Sequence, residues 1–229
     1  MTGAFLHPFA KPARPSFIRL VSGRGATVTT EDGRELIDGM ASLWYCAVGH
    51  GRQDMAEAVA RQMTTLEAYS AFDPFTTDPA DAVCGKIAAL SPIPGARVFL
   101  CGSGSEAVDS AMKLARVAHV QAGHPERTVI ISRTRGYHGT NYGGTSAQGI
   151  APNKAGYGTL LDDVIQVDAD DIEAMSVAME KNKGRLAAVI AEPVQGAGGG
   201  FPATVEYLQG LRKLRSEEHT SELQSRETI

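Results

Sequence analysis

The sequence predicts an α/β fold: a mostly parallel sheet with helices covering both faces. Three observations point there. From about residue 97 onward, short apolar runs alternate with segments of helical periodicity. Those runs lack the polar alternation of a strand that faces water on one side. The chain also has the material for a core, with 43% of its 229 residues hydrophobic and 21% charged.

Taken in order, Ala26–Thr30 and Arg34–Asp38 read as a hairpin, with Asp32-Gly33 as its turn. Met55, Val59 and Met63 recur at helical spacing and predict a helix over about 52–63. Asp78-Pro79 is a helix start, the acid as cap and the proline at the first helical position; that helix ends before Ser91-Pro92. Beyond it come a strand at Arg97–Cys101, a helix from Ser105 to about Gln121 and a strand at Thr128–Ser132. A helix from Asp170 to about Asn182, a buried strand at Leu186–Ala191 and a helix at Thr204–Leu214 complete the alternation.

The composition excludes several classes of function. A net charge of −4 gives no basic face for nucleic acid. No apolar run approaches the roughly 18 residues that span a bilayer. The proline-broken N-terminus (Pro8, Pro12, Pro15) is not a secretory leader. Cys46, Cys84 and Cys101 are odd in number and widely spaced, which argues against a disulfide framework or a zinc site. These features predict a cytoplasmic protein without metal, nucleic acid or membrane partners.

Residues 215–229 (RSEEHTSELQSRETI) differ from the rest. The stretch Arg215–Ser225 equals the in-frame translation of a common sequencing-library adapter. The expectation is a non-native tail, with the natural sequence interrupted near Leu214.

In open α/β sheets ligands bind beyond the carboxyl ends of the strands, and three motifs fall at such positions. Cys101-Gly102-Ser103-Gly104-Ser105-Glu106-Ala107 links a strand to a helix. Its glycines allow close approach, and the first helical N–H groups with the serine hydroxyls would hold a phosphate. The same residues are also a good helix cap. Gly102-x-Gly104-x-x-Ala107 further matches a dinucleotide fingerprint; Arg133 and Arg135 after the next strand would then suit a 2′-phosphate, so an NADP-binding oxidoreductase is the alternative. Gly136-Tyr137-His138-Gly139 sets an aromatic ring and an imidazole in a glycine-rich loop, suited to a planar ligand or to filling local gaps. Glu192-Pro193-Val194-Gln195 puts a carboxylate at the end of a buried strand, where it needs an ion-pair or ligand partner.

Together with Ile37-Asp38-Gly39-Met40-Ala41-Ser42-Leu43-Trp44 and Val48-Gly49-His50-Gly51, these motifs resemble the class III (omega-type) aminotransferases over about residues 20–214. The resemblance implies pyridoxal 5′-phosphate as cofactor and the first part of a type I, aspartate aminotransferase-like fold. Residues 1–50 would be the N-terminal arm and part of the small domain, and 51–214 the first part of the large cofactor-binding domain. It implies that Ser103, Gly104 and Ser105 hold the phosphate, and that Tyr137 stacks on the pyridine ring with His138 in support. Glu192 would orient the ring, and Trp44 would line the substrate pocket. The substrates would be a small amino donor, such as an amine or omega-amino acid, and a keto acceptor such as pyruvate. The full-length protein would be a homodimer. The family's Schiff-base lysine and the acid that pairs with the pyridine nitrogen lie downstream of these motifs. None of the seven lysines, Lys154 included, matches that lysine's position, so the expectation is an N-terminal fragment that does not turn over alone. A binding protein that keeps the phosphate cup without catalysis is the third reading.

Overall fold

The computed structural model describes residues 4–8, 10, 11 and 14–218. They divide into two compact units, Met1–Asp81 and Ala82–Ile229.

The first unit holds an antiparallel sheet of β1 (Leu20–Arg24), β2 (Thr27–Thr30) and β3 (Glu35–Ile37), in that order. The hairpin read from Asp32-Gly33 is present: Gly33 has φ +85°, which that turn requires, and Thr30 N–H bonds Arg34 O at 2.9 Å. Strand β1 has no sequence signal of its own and is added by pairing with β2. Helix α1 (Gln53–Thr65) follows. Helix α2 (Asp78–Leu90) starts and stops where the capping residues predict.

The second unit contains the parallel sheet. Helix α3 (Gly104–Gln121) leads into β4 (Val129–Arg133), α4 (Tyr142–Ala147), β5 (Val164–Val167), α5 (Ile172–Lys181) and β6 (Leu186–Val189). Strand order is β5-β4-β6, all parallel, so β4 is central and every one of its residues is buried. Side chains alternate across it as a strand's must. Val129 and Ile131 pack with Met175, Ala178 and Met179 of α5, and with Leu211 and Leu214 of α6 (Val205–Glu218). On the opposite face Ile130 packs with Met112 and Val108 of α3 and Ala147 of α4. The expected layering, with helices on both faces, is what the unit shows. A ribbon of β7 (Val194–Gln195) and β8 (Phe201–Pro202) precedes α6.

Two expectations need correction. Arg97–Cys101 is not in a strand, and Phe99 is 73% exposed. An apolar run becomes a strand only when a neighbour takes up its N–H and C=O groups, and among the described residues none does. The glycine-rich segment after β4 is not all loop, because Tyr142–Ala147 forms α4. Most of the expected tail, 219–229, lies outside the described residues; Arg215–Glu218 continue α6. No helix among the described residues is long and apolar enough to cross a membrane.

Met175 is completely buried between β4 and α6. Met175→Ala is expected to destabilise the unit by about 3 kcal/mol, through lost burial and the remaining cavity, as read by denaturant unfolding.

Candidate cofactor site at the carboxyl end of the parallel sheet

Helix α3 opens with its donors arranged by its own side chains. Ser103 is the N-cap, and its Oγ accepts from Glu106 N–H at 3.1 Å. The Glu106 carboxylate reaches back to accept from Gly102 N–H at 2.9 Å, a variant of the capping box. Ala107 N–H goes to Ser103 O. The amides of Gly104 and Ser105 have no acceptor among the described residues. Two free N–H groups at the positive end of an 18-residue helix therefore remain for an anion.

The Tyr-His turn is fastened directly to this start. Ser105 Oγ accepts from Thr140 N–H at 2.9 Å and lies 3.3 Å from Thr140 Oγ1. Gly139 sits against it with φ +96°, and a Cβ there would come within 2.7 Å of Ser105 Cα. Only glycine fits both the backbone angle and the gap. Asp109 of α3 adds a second fastening: its carboxylate accepts from Gly143 and Gly144 N–H at 3.3 and 2.9 Å. That pairing forms the short helix α4 despite its two glycines, and only the fold brings Asp109 to it.

Glu192 lies just beyond β6 and is held on three sides. Its carboxylate accepts from Tyr137 N–H at 2.7 Å and Gly196 N–H at 3.3 Å. Its backbone carbonyl accepts from Nη2 of Arg133. His138 is only 5% exposed, and its Nε2 has no hydrogen-bond partner. Burial holds the His138 imidazole below its ordinary value; the neighbouring Arg133 charge acts in the same sense and Glu192 opposes it. Tyr137 is partly exposed. Ser105, in the same helix turn as Ser103 and Gly104, is thus tied to the Tyr137-His138 turn through Thr140 and Gly139, and that turn is tied to Glu192 through Tyr137 N–H.

Trp44 belongs to the first unit. It is 72% exposed on a turn where Ala41, Ser42, Leu43 and Trp44 all have positive φ, a strained run for non-glycine residues. Asp38 holds that turn, accepting from Met40 and Ser42 N–H at 3.2 and 2.8 Å and meeting His50 Nε2 at 2.8 Å. The hydrogen bond to His50 leads the causes that keep the Asp38 carboxyl below its ordinary range.

The sequence signals missed how Arg133 and Arg135 are used. Arg133 is 1% exposed and pairs with Asp170 at 3.3 Å, its guanidinium stacked over the Tyr207 ring. Arg135 pairs with Asp170 at 2.8 Å and with Gln195 Oε1 at 3.2 Å, and lies over Phe201. Lys154 donates to Ser146 O at 3.1 Å, and partial burial pulls its ammonium below the ordinary value. Among the described residues no cluster of three or more His, Cys, Asp or Glu is placed to hold a metal ion.

Because the folded-state pKa of His138 lies below its ordinary 6.5, the unfolded chain binds the proton more readily. The stability it contributes is present above the ordinary value and is lost as pH falls from there toward the lowered one. Unfolding free energy is therefore expected to decline as pH is lowered below about 6.5, and His138→Gln to flatten that slope in pH-resolved denaturation. Gly139→Ala is expected to separate the Tyr-His turn from α3, read as faster hydrogen exchange at Thr140 N–H.

Comparison with known proteins shows the family and the fold. The family described as aminotransferase class-III matches residues 9–220. The β-alanine–pyruvate aminotransferase of Pseudomonas aeruginosa is 35% identical over 213 residues, covering 85% of this chain and 47% of that protein. An omega-aminotransferase of Caulobacter vibrioides is 32% identical, with 85% and 48% covered. Among solved structures, a transaminase from the marine bacterium Virgibacillus superposes with a TM-score of 0.90 at 34% identity, covering 94% of this chain and 51% of that one. An amine transaminase from an uncultivated Pseudomonas species, solved in its PLP-bound form, gives 0.85 at 30% identity, with 94% and 54% covered. The chain spans about half the length of the curated relatives it matches. Its parallel sheet and helices are those of the PLP-dependent transaminase fold, and the chain belongs to the class-III aminotransferases.

Proposed function

We propose that this chain is the phosphate- and ring-binding half of a pyridoxal-phosphate aminotransferase. The complete enzyme would move an amino group from an amine or omega-amino acid to a keto acid such as pyruvate. One observation carries the reading. The helix start with the free amides of Gly104 and Ser105 is fastened through Ser105 Oγ to the turn that carries Tyr137 and the orphaned Nε2 of His138, and the Glu192 carboxylate accepts from Tyr137 N–H of that turn. Pyridoxal phosphate has the phosphate, the flat ring and the ring substituents that such a set would satisfy. When bound, it supplies an electron sink for the carbon bearing the amino group.

The residues of this chain bind and orient. Gly104 and Ser105 N–H, with the hydroxyls of Ser103 and Ser105, hold the phosphate. Tyr137 packs on the ring and His138 supports it. Glu192, fixed by two amides, orients the ring from the side. Trp44 contributes to substrate selection. A homodimeric complete protein and a cytoplasmic location belong to the same proposal. So does a division into an arm with part of the small domain (1–50), the first part of the cofactor-binding domain (51–214) and a non-native tail (215–229). The nicotinamide alternative rests on the Gly102-x-Gly104-x-x-Ala107 fingerprint and on Arg133 and Arg135; the engagement of both arginines by Asp170 supports the pyridoxal-phosphate reading over it.

Proton movement at the substrate carbon needs a lysine, and Lys154 is committed to Ser146 O. The purified 229-residue chain is therefore expected to bind pyridoxamine 5′-phosphate more tightly than inorganic phosphate in equilibrium dialysis. It is also expected to form no alanine from β-alanine and pyruvate. Ser105→Ala together with Ser103→Ala should weaken both ligands. Binding of NADPH with no response to pyridoxamine phosphate would overturn the reading, and alanine formation would overturn the assignment of incompetence.

A further inference from the structure

Arg133 has no place in the roles above, yet it is the largest fully buried side chain among the described residues. Burying a guanidinium costs several kcal/mol, and a well-packed apolar residue often does as well structurally. The rest of β4 is Val129, Ile130, Ile131 and the small Ser132, all uncharged, so packing alone does not call for an arginine here. Its nearest carboxylate is an incomplete partner. Asp170 lies 3.3 Å from Arg133 but 2.8 Å from the more exposed Arg135, and Arg133 Nε has no partner at all.

The contact that distinguishes Arg133 is Nη2 on the Glu192 carbonyl. Strand β6 ends at Val189, so the ladder no longer serves that carbonyl. Beyond Glu192, Pro193 has no N–H to anchor the chain. The Glu192 backbone is thus fixed from the carbonyl side by Arg133 and from the carboxylate side by Tyr137 and Gly196 N–H. The Tyr207 ring under the guanidinium, and Asp170 beside it, keep the arginine in the orientation that reaches Glu192.

We propose that Arg133 is a positioning residue that sets the Glu192 carboxylate against the cofactor ring, acting through the Glu192 backbone carbonyl. The inference rests on the cofactor reading above for its ligand, and on the geometry alone for its effect on Glu192. Arg133 does not touch the phosphate cup, whose donors come from the start of α3.

Two measurements on the 229-residue chain test it, with Arg133→Met as the near-isosteric variant and Arg133→Lys as the charge-keeping one. The first needs no ligand: hydrogen exchange at Tyr137 and Gly196 N–H, the two donors to the Glu192 carboxylate. Exchange there should quicken by about tenfold in Arg133→Met, the scale of one hydrogen bond to a charged group, while Ile130 and Ile131 amides stay protected. Arg133→Lys should fall between the two. The second compares pyridoxamine 5′-phosphate with inorganic phosphate. Arg133→Met should weaken the former by about tenfold and leave the latter unchanged. Unchanged exchange at Tyr137 and Gly196, or a parallel loss of protection across the sheet in both variants, overturns the positioning role. So does equal weakening of the two ligands. If the parent chain binds pyridoxamine phosphate no better than phosphate, the cofactor reading falls, and the effect on Glu192 is decided by the exchange data alone.

Discussion

A strand covered on both faces that ends in an arginine sets the central constraint of this fold. Arg133 cannot reach water, so its guanidinium must be satisfied by whatever the fold brings to the end of β4. What it brings is Asp170 from the segment after β5, the carbonyl of Glu192 after β6 and the face of Tyr207 from α6. Each partner is separated from Arg133 by more than thirty residues of sequence. Satisfying one buried charge therefore draws together segments that a ligand would meet. Asp170 itself has φ +64°, as does Arg135. Two non-glycine residues in the left-handed region are tolerated because their side chains bind each other at 2.8 Å.

A second layer, this one of hydrogen bonds and close backbone approach, ties the loops to the helix start. Ser105 serves both the Thr140 amide and the packing against Gly139, so the start of α3 and the Tyr-His turn form one piece. Glu192 closes the arrangement from the β6 side. The buried His138 stays in its neutral form at neutral pH, since burial and Arg133 both disfavour the charged imidazole. A neutral ring beside Glu192 leaves that carboxylate's charge uncompensated by an imidazolium, available to the amides and to a ligand.

How much of this was legible in the sequence depended on how local each cause was. The Asp32-Gly33 hairpin, the Asp78-Pro79 helix start and the Ser103 cap are written in adjacent residues, and each is found where it was read. Segments whose form depends on distant partners were not legible. Strand β1 needs β2, and Arg97–Cys101 would need a neighbour that the described residues do not provide. Helix α4 carries Gly143 and Gly144 and forms because Asp109 holds their amides from α3. At the site, the motif order named the residues proposed to bind the cofactor, and the contacts among them come from the fold. The arginine pair was open to two readings because nothing near Arg133 in sequence announces Asp170 or Tyr207.

The capping and the phosphate-binding readings of Ser103-Gly104-Ser105 were set against one another at the sequence level, but the geometry makes them compatible. A serine hydroxyl has two acceptor lone pairs and one proton to donate. Ser103 Oγ spends a lone pair on Glu106 N–H, and Ser105 Oγ spends one on Thr140 N–H. Capping uses only the acceptor side of Ser103, and its proton remains for an anion. The two unserved amides, of Gly104 and Ser105, are the groups that a cap at Ser103 leaves open. Capping fixes the direction in which they point before any ligand arrives, so the order needed to receive a phosphate is supplied by folding and does not have to be supplied by binding. The same residues that make α3 a well-formed helix thereby leave its first turn with two donors already fixed in direction, as the proposed phosphate site requires.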